Sequence, residues 1–274
     1  MLGPLPSSVA PPSIWYDAVL APNRKPGGSK GWDTGIIVSV TVVVRRGKDR
    51  FLTREPGRQT RHSFSFGSWY DAERVSFGPL YALNDDLLAT GAGYDAHEHA
   101  DVVLVTWVVS GALAHEDATG CVTQPAGQLA VTRAGSGITH SERADSGVTR
   151  FIQAWLRPRE AGSEPTRRTT TPDLSSGAFV VAADEDDLGI PGATFLIAEV
   201  PGGASVSLPD APLRYVFVAT GALTRSSLAE PLTAGDAFEI TGDQDVAVTA
   251  GVPTQLLVWS FADTDLTEPG PRGS

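Results

Sequence analysis

From residue 102 onward the chain breaks into apolar segments of strand length, each closed by Gly, Pro, Asn or Asp. The clearest are Val102–Val109, Gln128–Thr132, Phe151–Leu156, Phe179–Ala182, Thr194–Val200, Tyr215–Ala219 and Leu256–Phe261. None sustains a 3.6-residue period over four turns, so long amphipathic helices are excluded. Many short strands with frequent turns predict an all-β sandwich or barrel. A β-branched run, Ile36 to Val44, reads as the first strand.

The segment Arg157–Asp173, rich in Pro, Thr and charge, reads as a hinge. It divides the chain into an irregular extension (1–40), an N-terminal β-domain (41–156), a linker (157–174), a C-terminal β-domain (175–262) and a tail (263–274). The extension holds six of the 20 prolines by Pro26, followed by Gly27, Gly28 and Ser29, which cost it backbone donors. Val108-Val109-Ser110-Gly111-Ala112-Leu113, followed by Pro125-Ala126-Gly127, is echoed by Val218-Ala219-Thr220-Gly221-Ala222-Leu223, followed by Thr233-Ala234-Gly235-Asp236. Two copies of one fold are expected.

Composition narrows the function. The 274 residues are 41% apolar, enough for a sizeable core. With 21 Lys and Arg against 32 Asp and Glu, the net charge of −11 argues against nucleic acid and anionic membranes as partners. Cys121 is alone, so an internal disulfide and a multi-Cys zinc site are both excluded. No segment approaches the roughly 18 apolar residues of a membrane-spanning helix. No basic start leads into an apolar signal segment. A cytoplasmic monomer is expected.

All five histidines, His62, His97, His99, His115 and His140, precede residue 141. In a strand, residues two apart share a face. His97-Glu98-His99 therefore projects two imidazoles together, and His140-Ser141-Glu142 projects an imidazole with a carboxylate. The two pairs offer three nitrogens and one carboxylate oxygen, with no thiolate. Such a set suits Fe(II), Mn(II), Ni(II), Cu(II) or Zn(II) and leaves positions open on a six-coordinate ion. The competing reading is a polar loop with a surface carboxylate. His62 reads as a structural hydrogen-bonding residue and His115 as a turn or surface residue. Cys121 reads as inert, Trp69, Tyr70 and Trp107 as core or rim, and the acidic run 184–187 as a solvated loop.

Several motifs occur in one order: Arg61-His62-Ser63-Phe64-Ser65-Phe66-Gly67, Leu83-Asn84-Asp85-Asp86, and Gly91-x-Gly93-Tyr94-x-x-His97-x-His99. Then follow Gly111-x-Leu113-x-His115-x-Asp117-x-x-Gly120, Ala134-Gly135-x-Gly137-Ile138-x-His140-Ser141-Glu142, and Gln153-x-Trp155-x-x-Pro158. Over residues 44–160 the chain resembles the pirin family of the cupin superfamily, and its C-terminal half resembles that family's metal-free second cupin more loosely. The resemblance implies a bicupin of two β-barrels, with His97, His99, His140 and Glu142 holding one divalent metal, iron being the usual ion. Cupins in general carry the ligand Glu a few residues after HxH, where Val103 and Leu104 stand here, so Glu142 takes that role. Bacterial pirin-like proteins often carry Asp-Met-Glu after HxHx; this chain reads Asp101-Val102-Val103 and lacks that pocket carboxylate. The resemblance implies a dioxygenase of the quercetin 2,3-dioxygenase type, acting on a small aromatic flavonol, with Glu142 as general base or permanent ligand. The alternative it implies is a non-enzymatic metal- and redox-sensing protein acting through protein partners.

Overall fold

A computed structural model describes residues 41–226, 231–242 and 245–262. The extension 1–40, the tail 263–274 and the start of the run Ile36–Val44 lie outside the described residues. The first half contributes β1 (Thr41–Arg45), β2 (Phe51–Glu55), β3 (Arg58–His62), β4 (Leu80–Leu88), β5 (Gly93–His99), β6 (Val103–Ser110), β7 (Ala112–Asp117), β8 (Gly120–Pro125), β9 (Leu129–Arg133), β10 (Ile138–Ala144), β11 (Thr149–Leu156) and β12 (Thr166–Thr170). After them come β13 (Val180–Ala183), α1 (Glu185–Leu188), β14 (Ala193–Val200), β15 (Ser205–Ser207), β16 (Leu213–Thr220), β17 (Ala222–Ser226), β18 (Leu232–Thr233), β19 (Ala237–Thr241), β20 (Ala247–Ala250) and β21 (Thr254–Phe261). No described helix is long and apolar enough to cross a membrane.

Each half is a large sheet curled against a small one. In the first, β12-β9-β6-β11-β4-β3-β2 faces β5-β10-β7-β8; in the second, β1-β19-β16-β21-β14-β13 faces β15-β20-β17-β18. The orders superimpose, β6 on β16, β9 on β19, β11 on β21 and β4 on β14. This is the all-β bicupin expected from the sequence. Two segments cross the expected domain division. β1, N-terminal to the first half, pairs with β19 of the second, and β12, inside the expected linker, pairs with β9. Each pairs with backbone hydrogen bonds along the side of β19 or β9 and becomes the edge strand of that sheet.

The large sheets share one core. Val103, Val105 and Trp107 of β6 meet Phe195, Tyr215, Phe217 and Trp259 of the second half in a single buried cluster. The alternate residues Leu104 and Val108 face the interior of the first barrel instead. A strand buried on both faces must be apolar throughout, which is why these segments read as continuous runs rather than alternating ones. Trp107 also donates its indole N–H to Gln255 Oε1 at 2.8 Å across the halves.

The sequence echo is reproduced bond for bond. Gly127 N–H reaches the Val108 carbonyl at 2.9 Å, and Gly235 N–H the Val218 carbonyl at 2.8 Å. Thr149 Oγ1 donates to the Ala112 carbonyl at 2.9 Å, and Thr254 Oγ1 to the Ala222 carbonyl at 3.0 Å. Gly111 and Gly221 turn between their strands at φ of 78° and 79°. A Cβ at Gly111 would lie 2.6 Å from the Val148 carbonyl oxygen, and one at Gly221 would lie 2.3 Å from that of Pro253.

The acidic run is not a loop. Asp184 caps α1 with its carboxylate, accepting from the backbone N–H groups of Asp186 and Asp187 at 3.1 Å each, and Asp187 pairs with Arg168. A capping box turns four adjacent acids into one helical turn, because carboxylates suit a helix N-terminus.

Gly111→Ala and Gly221→Ala are each expected to cost roughly 1–3 kcal/mol, from left-handed backbone strain alone. Urea unfolding of each variant checks this, and matched losses would reflect the matched geometry of the two turns.

Candidate metal centre

The strands β5, β10 and β7 lie side by side and bring the histidines together. His140 pairs with His97 on one side and Asp117 on the other; Glu142 pairs with Tyr94 and His115. The β5–β10 register shifts between these pairs: the step of three positions from Tyr94 to His97 on β5 matches a step of two from His140 to Glu142 on β10. That bulge lets both Tyr94 and His97 face the barrel interior, which strict alternation would forbid. Gly93 permits the close approach of β5, since a Cβ there would fall 1.9 Å from the Glu142 carbonyl oxygen.

One nitrogen from each of His97, His99 and His140 lies within 4.8 Å of the other two. The hydrogen bonds around these rings fix where their protons sit. His97 Nδ1 is 2.8 Å from the Asp95 carbonyl, which accepts only, so Nδ1 carries the proton and Nε2 a lone pair. At the far end His115 Nε2 is 3.2 Å from the Asp117 carboxylate, so that nitrogen is the donor. His115 Nδ1 is then an acceptor, and His140 Nδ1, 3.3 Å away, donates to it. His140 Nε2 is left with a lone pair facing that of His97 Nε2 at 3.1 Å. His99 Nε2 is buried and has no hydrogen-bond partner. Two lone pairs in contact beside a third unpartnered nitrogen are unfavourable without a cation. Two nitrogens bound about 2.1 Å from one ion at right angles would be about 3 Å apart. The residues present therefore fit a transition-metal ion.

Burial, aided by the neighbouring imidazoles, holds His99 down to about 4 and His140 down to about 3. Both rings are neutral, the form that binds metals. Glu142 is buried and pushed up to about 7, mainly by desolvation; Gln153 opposes the shift and Asp86 adds to it. Its oxygens are gathered with His115 and His140 rather than with His97 and His99. Gln153 Nε2 lies 3.1 Å from each Glu142 oxygen, while Gln153 Oε1 accepts the Trp155 indole N–H at 2.8 Å. Trp155 in turn stands edge-on to the His99 ring at 4.8 Å. The Gln153-x-Trp155 motif thus orients the carboxylate and one imidazole together.

His62 serves as expected. It bonds Asn84 Oδ1 at 2.8 Å and Thr53 Oγ1 at 2.9 Å, and stacks on Phe66, which abuts Trp155. Trp107 is core, while Trp69 and Tyr70 are exposed, as is Cys121. His115 corrects the sequence reading: it is buried on β7, not a turn or surface residue. Its spacing from Asp117, two residues, is the same-face signal that marked His97 and His99. Asp86 was also missed. Buried and raised to about 6 by desolvation, it accepts from Thr60 Oγ1 and Tyr94 Oη at 2.5 Å each.

Among the described residues the second barrel shows no counterpart. The bonds of Ala144 to Ala92 and of Ala250 to Ala204 align the halves. Tyr94, His140 and Glu142 then correspond to Val206, Val246 and Val248, and Thr106 and Gln153 to Val216 and Val258. Four of these valines belong to one apolar cluster, and Val206 packs against it.

A bicupin with a histidine cluster in its first barrel is defined by these features. The profile of the pirin family matches residues 45–156. A Mycobacterium tuberculosis protein named "Putative quercetin 2,3-dioxygenase" is 37% identical over 242 residues, covering 82% of this chain and 96% of that one. The Escherichia coli K12 quercetin 2,3-dioxygenase is 31% identical over 147 residues, covering 53% and 64%. The crystal structure of the bacterial pirin YhhW from Escherichia coli in complex with nickel(II) superimposes with a TM-score of 0.74 at 23% identity, covering 81% of this chain and all of that one. The chain belongs to the pirin family.

Replacing His115 with Phe, which keeps the ring volume but not the acceptor, should weaken metal binding about 10–100-fold. Competition against a chromophoric chelator measures it. Glu142 holds its proton more tightly folded than unfolded, so its stabilisation is full below about pH 4.5 and lost as pH rises through about 7. In chelator, Glu142→Gln should therefore be more stable than the parent at pH 8, with the gain vanishing near pH 4.5. Urea unfolding at the two pH values decides this.

Proposed function

We propose that the chain is a metal-dependent dioxygenase that opens flavonols of the quercetin type with O2, releasing carbon monoxide. His97, His99, His140 and Glu142 would hold the ion, Fe(II) being the first choice, with Mn, Ni, Cu and Zn as alternatives. The observation that carries this reading is the convergence of the His97, His99 and His140 imidazole nitrogens beside a buried carboxyl group. The names of the relatives support the substrate class, and the nickel complex of the Escherichia coli pirin supports a first-row metal.

The ion, when bound, supplies Lewis acidity towards the substrate's 3-hydroxyl oxygen and a centre for O2 chemistry. The remaining work falls to the chain. A Glu142 carboxyl group titrating near neutrality is poised to take the hydroxyl proton on one of its oxygens, with Gln153 fixing the orientation. The rings stay neutral, so the lone pairs of His99 and His140 are available to an ion rather than taken up by protons. Val102, Leu104 and Ala134 are buried as an apolar patch with Ile138 and Trp155 packed against it, and they limit water near the reacting group. A cavity of about 480 Å³, lined by His99, Ala100 and Gly137–Thr139 among others, opens beside His99 and is of a size to admit a small aromatic molecule.

Aerobic incubation of the iron-loaded chain with quercetin should bleach the flavonol absorbance with matching O2 uptake, and His140→Ala should abolish both. Full metal loading without flavonol loss, for every metal tried, would reject the oxygenase and leave a regulatory protein acting through partners as the reading to pursue.

A further inference from the structure

A second cavity, about 590 Å³, lies away from the histidines where the halves meet. Its walls are the turn after β1 and the turn between β18 and β19, pressed so closely that a Cβ on Gly47 would lie 2.8 Å from the Gly235 carbonyl. Arg46, Lys48, Arg50 and Arg61 line it, with Asp236 as the acidic member.

Arg50 is the informative residue. It is 7% exposed, yet its Nε and Nη1 donors have no hydrogen-bond partner. Its one carboxylate contact, Nη2 to Asp85 Oδ2 at 2.8 Å, is shared: Arg150 binds both oxygens of Asp85, at 2.8 and 3.0 Å. Asp236 is already engaged by Arg46 at 3.1 Å and by the Gly47 N–H at 2.7 Å. Among the described residues the lining carries Lys48, Arg50 and Arg61 beside Asp236, and Arg150 shares Asp85 with Arg50, in a chain of net charge −11. A buried guanidinium with unmet donors is costly, and such donors are normally satisfied. Guanidinium groups match the planar, multidentate oxygens of carboxylates and phosphates.

We propose that this cavity binds a small polyanion bearing several carboxylate or phosphoryl oxygens, with Arg50 as its buried anchor and Arg61 and Lys48 at its rim. The site is separate from the metal centre. Asp85 and Asp86 are adjacent on β4 and point to opposite faces, Asp85 to the arginines and Asp86 to Tyr94 in the first barrel.

Isothermal titration of the full chain with inorganic pyrophosphate and with citrate, at constant ionic strength set by chloride, tests the proposal. Saturable binding of at least one probe below about 1 mM is expected. Pyrophosphate alone would mark a phosphoryl site, citrate alone a carboxylate site, and both a general polyanion site. Arg61→Glu and Lys48→Glu, each checked for native folding by circular dichroism, should each weaken binding at least about tenfold. Arg159→Glu, which changes net charge equally beyond the opposite end of β11 from Arg150, should leave it within about twofold. No saturable binding of either probe, or affinity unchanged in both rim variants, overturns the proposal. Flavonol turnover plays no part in this readout, so the two readings stand or fall separately.

Discussion

The candidate metal centre depends on a proton order. A chain of hydrogen bonds runs from the Asp117 carboxylate through His115 to His140, and another ends at the Asp95 carbonyl on His97. Both ends are acceptors only. They force the intervening protons outward and the free lone pairs inward, where His97 and His140 meet at 3.1 Å. The bulge in β5 and the pairing of β7 with β10 exist at the positions that make this possible. The inward lone pairs are thus a consequence of groups outside the cluster of His97, His99 and His140.

The two halves show what the same fold does with and without that arrangement. In the second barrel valines stand at the positions of Tyr94, Thr106, His140, Glu142 and Gln153, within or against one apolar cluster. In the first barrel the interior apolar residues divide into two small groups, Leu88, Val108, Leu113, Ala144 and Phe151 in one and Val102, Leu104 and Ala134 in the other. His97, His99, His115, His140, Glu142, Gln153 and Asp86 stand on β4, β5, β7, β10 and β11 of the same barrel. Burying so much polarity is unfavourable in isolation. The shared core between the large sheets, continuous across both halves, supplies apolar burial that does not pass through the site.

Much of this architecture was legible beforehand. Every apolar segment singled out between residues 102 and 261 overlaps a strand, since burial on both faces leaves a composition signal that needs no partner to read. The echo around Gly111 and Gly221 was legible because a left-handed turn demands Gly locally. His97 and His99 were legible because the period of a strand is two. His115 was not, although its spacing from Asp117 is the same, because the pattern cannot say whether a strand's polar face is turned to solvent or to a barrel interior. The arginine-lined cavity was invisible for a related reason: residues 46–50, 61 and 236 converge only through the passage of β1 into the other half's sheet.

By itself, then, the sequence determined the strand content, the duplication and which residue types were available for chemistry, because these rest on local backbone preference and periodicity. Tertiary structure alone decided which nitrogen of each imidazole is free, which acids are buried, and which charges share a cavity. Those properties belong to pairs of groups far apart in the chain, and their energies arise only when folding removes the water between them.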